Sequence, residues 1–416
     1  MKTPLYSALL EYSETNPVRF HMPGHKGNPL YSGIWGDIAA LDVTELPQTG
    51  DLYREESGAI REAERLLAKT YGAKSAVFLT GGSTQGVFAM LASNTSPGNT
   101  ILVDRLCHYS VASAMALLDL HPVYIYRNIT NGIASPVDPA EVGRLLTPDI
   151  KTVLLTSPTY NGVCSNLKSI YDTCESNGTK LLLDAAHGAH LPFVPGFYDY
   201  FRFHHAVMSA HKTLPALGQA AFLLTSDAEP LRRAAMLTGT SSPSYPIMAS
   251  IDLARAFLDE RGMEQGRLLY ETVINSGNDY TLLSRDPLRI TVKVECFADV
   301  NIVPEMSVSG MSVFIISLYD SVDAVRALFS AVSKCGGAPF NGKSSRMPHA
   351  KAAMTLRQAM FSPDKITLAA KNAVGRVAAE PIAPFPPGVP LLMPGEIFEE
   401  EHLEYVTPES VYCFIG

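Results

Sequence analysis

Short runs of apolar residues alternate with amphipathic stretches through the first half of the chain. Runs rich in Val, Ile and Leu predict buried β-strands at 75–80, 100–104, 121–126, 151–158, 180–186, 205–210 and 220–225. Apolar residues at helical spacing predict helices at 85–93, 110–120, 139–146 and 168–177. Strands that alternate with helices are typical of a parallel sheet covered on both faces, so the pattern predicts an α/β fold.

The pattern changes towards both ends of the chain. A helix is predicted over 4–13, followed by an irregular Gly/Pro/His-rich stretch at 20–29 and a helix over 58–72. Beyond residue 270, apolar runs at 288–295 and 311–318 and a helical run at 321–334 predict a smaller α+β domain. We therefore predict an N-terminal helix and arm (1–57), a large domain (58–270) and a small C-terminal domain (271–416). The proline-rich stretch 381–396 is too apolar for a solvated linker and predicts an ordered loop.

Composition and charge narrow the class of protein. The chain has 416 residues, of which 46% are hydrophobic and 18% charged, as in ordinary globular proteins. A net charge of −8 disfavours a general nucleic-acid or anionic-membrane surface. The N-terminus lacks the unbroken apolar stretch of a signal peptide, and no segment reaches the length of a membrane span. These features predict a cytoplasmic protein.

Cysteine spacing and a missing hydrolase motif argue against a disulfide framework, a metal site and serine hydrolysis. Six cysteines are scattered without a C-x-x-C pair, which favours reduced thiols over a disulfide framework. Without a C-x-x-C ligand pair, no metal site is predicted. A G-x-S-x-G elbow, which serine hydrolysis on an α/β sheet would require, does not occur.

The strongest chemical motif is SAHKTLPALGQ, residues 209–219, which follows a predicted strand. Lys212 stands directly after a histidine and before a turn of small residues, where a Schiff-base lysine for pyridoxal-5′-phosphate (PLP) would lie. A buried amine near apolar or cationic groups has a lowered pKa, which helps such a lysine to react. The alternative is a surface lysine at a strand end.

Three further motifs follow predicted strands. Asp184, in LLLDAAHGAH, could pair with the pyridine nitrogen of PLP, or could instead cap a helix. The turn LTGGSTQG could cradle a phosphate through backbone amides and the Ser83 and Thr84 hydroxyls, or be a plain glycine turn. His108, in DRLCHYS, could stack on a flat cofactor ring, or be a structural histidine. Because all four motifs lie at strand ends in one order, together they favour a PLP site.

With these motifs, the chain resembles the Orn/Lys/Arg decarboxylases of PLP fold type I, in the short bacterial branch without the N-terminal wing domain. The resemblance covers nearly the whole chain and rests on these motifs: FHMPGHKG (20–27), the Gly-Ser-Thr loop (82–84), DRLCHYS (104–110), SPTYNGVCSNL (157–167), DAAHGAH (184–190), SAHKTLPALGQ (209–219) and PPGVPLLMPGE (386–396). It implies an aminotransferase-like large domain with a mainly parallel sheet, a homodimer, and decarboxylation of arginine, lysine or ornithine to an amine used in polyamine metabolism.

The resemblance also implies roles for individual residues. Lys212 would hold PLP, Asp184 would pair with its pyridine nitrogen and His108 would stack on its ring, which makes these three the expected catalytic residues. The remaining cofactor contacts would be to the phosphate and the 3′-oxygen. For the phosphate, the residues are Ser83, Thr84, Ser209 and His211; for the 3′-oxygen, the residue is His187. Glu396 would lie near the distal cationic end of the substrate.

Three positions depart from the family pattern. Ala185 stands where Glu is frequent, Tyr109 where Lys is usual and Phe385 where Tyr is common. None of them changes Lys212, Asp184 or His108, so PLP binding is still expected. The departures motivate a rival hypothesis, a non-catalytic binding protein of the same fold.

Another PLP reaction, in an aminotransferase or aldolase, is the second rival. A transaminase would grip the substrate carboxylate with an arginine, for which Arg346, Arg357 and Arg376 are candidates.

Overall fold

The computed structural model describes residues 1–28, 36, 38–130, 133–277, 286–294, 301–308, 310–338, 344–346, 348–382, 390–404 and 410–414. Its strands are β1 (Ser75–Leu79), β2 (Thr100–Asp104), β3 (His121–Ile125), β4 (Asn128–Thr130), β5 (Ile133–Ala134), β6 (Thr152–Thr156), β7 (Lys180–Asp184), β8 (His205–Ser209), β9 (Ala221–Thr225), β10 (Arg289–Val292), β11 (Met306–Val308), β12 (Met311–Ile315), β13 (Ser344–Arg346), β14 (Lys365–Ala369) and β15 (Ser410–Phe414).

The α-helices lie between these strands and at the N-terminus. They are α1 (Pro4–Glu14), α2 (Ile38–Leu41), α3 (Ala59–Thr70), α4 (Gly82–Asn94), α5 (Tyr109–Leu118), α6 (Pro139–Leu145), α7 (Leu167–Ser176), α8 (Ala210–Thr213), α9 (Ala228–Thr238), α10 (Tyr245–Phe257), α11 (Met263–Ile274), α12 (Val322–Lys334) and α13 (Leu356–Phe361).

The predicted α/β fold is confirmed. Seven strands form one sheet in the order β1-β9-β8-β7-β6-β2-β3, and each was predicted from its apolar run. β2 pairs in parallel with β3 and β6, and β6 in parallel with β7. β9 runs antiparallel to both β1 and β8. Six of these strands are buried over almost their whole length, as expected for strands covered on both faces, whereas the edge strand β3 is buried only at Ile125.

The small C-terminal α+β region is also confirmed. β10, β12 and β11 form one small sheet, β14 and β15 another, and β13 pairs with β4. A compact apolar cluster joins β15 to the chain before it, through the buried side chains of Ile382, Leu392, Phe398 and Val411. The predicted helix at 321–334 is observed as α12.

The chain divides into two compact units, each assembled from separate parts of the sequence. The first comprises Met1–Ser93, Ala185–Asn278 and Ile315–Lys334, and the second comprises Asn94–Asp184, Asp279–Phe314 and Cys335–Gly416. The domain boundaries after residues 57 and 270 stay a prediction. Within the described residues, no helix combines the length and apolar composition that crossing a membrane requires.

Candidate active site

In the first unit, two predicted site motifs leave the sheet at the same level. β1 ends at Leu79 and β8 ends at Ser209, and both residues are in register with Ala221 of the strand between them. Neighbouring strands are spaced about 4.8 Å apart, so the two strand ends are separated by roughly 10 Å. The Gly-Ser-Thr turn and the lysine turn therefore begin at one edge of the sheet.

The same two turns are tied to the residues that precede β9. The amide of Gly82 donates to the carbonyl of Gln219 at 3.0 Å, and the amide of His211 donates to the carbonyl of Ala220 at 3.2 Å. Gly82 has a φ of +70°, a backbone conformation that glycine adopts without strain. The segment 219–220 thus fixes the phosphate-loop candidate and the lysine candidate relative to each other.

Lys212 and His187 are in direct contact. Lys212 lies half-buried in the short helix α8, and its Nζ is 3.1 Å from Nε2 of His187. His187 is buried in the turn that follows β7, which is closed by a hydrogen bond from the amide of Gly188 to the carbonyl of Ala185 at 2.8 Å. The amine is therefore held beside an imidazole that can accept or return a proton.

Ser83, Thr84 and Ser209 were predicted to face a phosphate. Ser83 and Thr84 lie in the first turn of α4, where a helix leaves its first amides without intrahelical partners. Ser209 is fully buried at the end of β8, and within the described part of the chain its Oγ has no hydrogen-bond partner. A buried hydroxyl without a partner costs free energy, which a ligand oxygen would recover.

Gln85 was not predicted as a site residue, but its side chain contacts the phosphate-loop candidate. Its side chain is buried, and its Oε1 accepts from the amide of Gly81 at 2.9 Å. Its Nε2 donates to the carbonyl of Ala235 at 2.9 Å and to the hydroxyl of Tyr53 at 3.2 Å. A glutamine just inside a helix start, which can reach back as in a capping box, was the available sequence clue.

In the second unit, Asp184 lies at the end of β7. Its side chain is buried, and the residue is in register with Thr156 of β6. The amide of Ser157 donates to its backbone carbonyl at 3.1 Å. Asp184 therefore lies at the carboxyl edge of two parallel strands, where α/β sheets present ligand groups.

His108 is exposed at the N-cap of α5, where its Nδ1 accepts from the amide of Ser110 at 3.1 Å. The turn before it starts from Asp104, a fully buried residue whose carboxylate pairs with the buried Arg127. Arg127 also donates to the carbonyl of Thr156 at 2.9 Å, so one guanidinium ties β2 to β6. This pair fixes the point from which the His108 turn departs.

Glu396 has partners other than those predicted for it. Its Oε2 lies 2.8 Å from Nη2 of Arg105 and accepts from the amide of Met393 at 2.7 Å. Arg105 is fully buried and also donates to the carbonyls of Pro390 and Leu391 at 2.8 and 2.7 Å. Burial by itself lowers the pKa of Arg105, but the Glu396 carboxylate reverses the direction and raises it. The pair joins the His108 turn to the PGE motif.

The positions that depart from the family pattern differ in burial. Ala185 is fully buried directly after β7, and its amide donates to the carbonyl of Val207 at 2.9 Å. Tyr109 begins α5 and is 47% exposed. Phe385 lies outside the described residues. Among the residues that are described, no group of three or more His, Cys, Asp or Glu side chains could hold a metal ion.

Solved structures share this fold. The lysine decarboxylase LdcF of Francisella novicida aligns over 99% of this chain and 80% of its own, with a TM-score of 0.81 and 19% identity. A serine palmitoyltransferase of Sphingomonas wittichii aligns over 74% of this chain and 83% of its own, with a TM-score of 0.53 and 16% identity. The architecture is that of the aminotransferase-like PLP enzymes of fold type I, as the sequence predicted.

Sequence comparisons give the family. The model of the Orn/Lys/Arg decarboxylase major domain matches residues 3–314, and that of the Orn/Lys/Arg decarboxylase C-terminal domain matches residues 344–408. The arginine decarboxylase of Halalkalibacterium halodurans is 30% identical over 98% of this chain and 94% of its own. The uncharacterised protein YaaO of Bacillus subtilis is 30% identical over the same shares. The chain belongs to the Orn/Lys/Arg decarboxylase family and is an amino-acid decarboxylase, a lyase, with pyridoxal phosphate as its cofactor.

Proposed function

We propose that this protein decarboxylates arginine, lysine or ornithine to the corresponding amine, with Lys212 holding PLP. The observation that carries the proposal is the contact between Lys212 and His187. Lys212 follows β8, and this strand ends at the same edge of the sheet as β1, which leads into the Gly-Ser-Thr loop. Relatives named arginine decarboxylase and lysine decarboxylase support a basic amino acid as the substrate.

The residues present fit the cofactor. The unpartnered buried hydroxyl of Ser209 and the helix start at Ser83 and Thr84 suit a phosphate, together with His211. The buried carboxylate of Asp184 suits the protonated nitrogen of a pyridine ring, and His108 suits its face. PLP supplies an electron-withdrawing ring that stabilises the charge left when the carboxylate of an amino acid departs.

The chain's own residues then orient the groups and handle protons. The 3.1 Å contact puts Lys212 Nζ within proton-transfer distance of His187 Nε2, so the imidazole can take up a proton that the amine gives up when it acts as a nucleophile. With PLP bound, the carboxylate of Asp184 would pair with the pyridine nitrogen and keep that nitrogen protonated. General acid–base contributions of this kind are worth about 10²–10⁴-fold in rate.

For Glu396 we propose a role that differs from the substrate contact implied by the family resemblance. Its carboxylate is already bound by Arg105 and by the amide of Met393 inside the second unit. A substrate cation would have to share this carboxylate with a fully buried guanidinium that already balances its charge. We therefore assign Glu396 to holding the His108 turn rather than to the distal end of the substrate.

A decarboxylation assay over arginine, lysine and ornithine with added PLP tests the proposal. The wild type releases CO₂ from at least one of the three and forms no keto acid, which a transaminase would form. Lys212→Ala loses the visible absorbance of bound cofactor and at least 10²-fold of the activity. Lys168→Ala, at an exposed lysine paired with Asp172, serves as the matched control.

Three outcomes would overturn the proposal. An unchanged visible spectrum in Lys212→Ala would remove the lysine assignment. Keto acid as the main product would favour transamination. PLP binding without turnover of any of the three amino acids would favour the non-catalytic alternative. A homodimeric assembly, a cytoplasmic location and a role in polyamine metabolism remain predictions of the family resemblance and the composition.

A further inference from the structure

We propose that Gln85 is a positioning residue that sets the phosphate-binding loop for PLP. This inference rests on the proposed cofactor site and goes beyond it, because Gln85 lies in none of the roles assigned above. It acts through the backbone of Gly81 and Gly82, and the phosphate itself would be met by Ser83, Thr84 and the first amides of α4.

The contacts of Gln85 use every hydrogen of its amide. Its Oε1 accepts from Gly81, and its two Nε2 hydrogens serve Ala235 and Tyr53. The side chain is only 3% exposed, so water replaces none of these partners. A neutral group that donates two hydrogen bonds and accepts one is required here, and of the similarly sized side chains only glutamine offers that set.

The backbone around the amide leaves no room for it to move. A Cβ on Gly81 would lie 2.9 Å from Gln85 Oε1, and a Cβ on Gly239 would lie 2.6 Å from Gln85 Nε2 and 2.4 Å from the Tyr53 hydroxyl. Two glycines therefore close against the amide and the tyrosine that it contacts. The amide position is fixed from the phosphate-loop side and from the end of α9.

The contacts of Gln85 affect which backbone amides of the phosphate-binding loop can donate to a phosphate. The amide of Gly81 is taken by Gln85, and the amide of Gly82 is taken by the carbonyl of Gln219. With both glycine amides engaged, the donors that the helix start still offers are those of the residues that follow. Gln85 thus determines the direction in which these donors point, and a phosphate gains from donors that are already in place.

The experiment compares the affinity for PLP with that for pyridoxal, which carries the same ring and aldehyde but no phosphate. Dissociation constants are measured by absorbance or fluorescence titration of the apoprotein. We expect Gln85→Met to weaken PLP about tenfold, the loss of one well-made hydrogen-bonding group. Pyridoxal affinity should change by less than about twofold, because the phosphate contacts contribute only to PLP.

Two variants provide the comparison. Gln265→Met is the matched control, since Gln265 also donates its amide to a backbone carbonyl, that of Asp320 at 2.8 Å, on a different helix. It should leave both affinities unchanged. Tyr53→Phe removes a single partner of Gln85 and should weaken PLP in the same direction by a smaller factor, which keeps the test valid if Gln85→Met does not fold.

The outcomes separate this inference from the proposed function. A PLP-to-pyridoxal affinity ratio that is the same in Gln85→Met and wild type overturns the positioning role. A parallel loss of both affinities together with a lowered unfolding midpoint also overturns it, because that pattern marks a purely structural residue. If the wild type binds neither compound, the proposed PLP site itself is wrong, and this inference falls with it.

Discussion

Removing the carboxylate of Glu396 should destabilise the protein strongly, although the residue lies far from Arg105 in sequence. The change Glu396→Ala deletes the acceptor of two hydrogen bonds, from Arg105 at 2.8 Å and from the amide of Met393 at 2.7 Å. Arg105 would remain fully buried, with the carbonyls of Pro390 and Leu391 and the ring of Tyr124 facing its charge but no carboxylate to balance it.

The magnitude follows from the two bonds that are lost. A hydrogen bond to a charged group contributes about 1.5–3 kcal/mol, and a buried amide left without a partner costs about 1–3 kcal/mol. The sum agrees with the roughly 3–5 kcal/mol measured when one partner of a buried ion pair is removed. Glu396→Gln keeps an acceptor and loses only the charge, so it should cost less.

Urea unfolding followed by circular dichroism measures the effect as a change in midpoint. Glu141→Ala is the control, because the Arg144–Glu141 pair lies on the surface and its loss should leave the midpoint unchanged. The combined variant Arg105→Met with Glu396→Met removes both charges and should recover much of the loss. A cost below about 1 kcal/mol for Glu396→Ala would refute the reasoning, since that is the range of surface pairs.

The same variants decide between the two roles considered for Glu396. If Glu396 contacted the distal cation of the substrate, Glu396→Gln would raise KM at an unchanged unfolding midpoint. If it holds the His108 turn through Arg105, the midpoint should fall, and so should the affinity for PLP in the absence of substrate. The second pattern is the one that the observed contacts predict.

Two further predictions concern thiols and glycines. In native protein at pH 8, iodoacetamide should modify the half-exposed Cys335 faster than the buried Cys107, because burial raises the pKa of the Cys107 thiol. Peptide mass mapping measures the order of modification, and equal rates would contradict this prediction. Gly266→Ala should destabilise by about 1–3 kcal/mol, because its Cβ would lie 2.0 Å from the carbonyl oxygen of Phe193. Gly143→Ala, inside α6, should instead stabilise by up to about 1 kcal/mol, because its Cβ would make an ordinary van der Waals contact with Thr173 at 3.5 Å. Unfolding midpoints that move in the same direction for both variants would refute this packing argument.

Secondary structure was easiest to predict from the sequence where buried residues are consecutive along the chain. All seven strands of the large sheet were predictable because each is a short, continuously apolar run between turn residues. The helices α9, α10 and α11 were not predicted. α10 buries residues on almost all sides, so it lacks the polar face on which a helical period depends.

The site was predictable only in part, for a similar reason. Motif residues at strand ends were found because strand ends can be located from local pattern. Arg105 was missed because its partner Glu396 lies 291 positions away. Gln85 has a local partner in Gly81, but its partner Ala235 lies 150 positions away. Such pairings leave no periodic trace in the sequence, and a buried arginine looks like a surface arginine until its acceptor is known.

The pairing of β1 with β9 has a consequence for how the chain reaches this structure. Ser75 pairs with Thr225 and Leu79 with Ala221, so the partners are separated by 150 and 142 positions (225 − 75 and 221 − 79). During synthesis the apolar strand SAVFL emerges long before the strand that covers its edge. Contacts of such long sequence separation slow folding and leave strand edges open to other chains. A ribosome-bound or truncated chain that stops before residue 221 should therefore aggregate or recruit chaperones, whereas a chain that extends past β9 can close this side of its sheet.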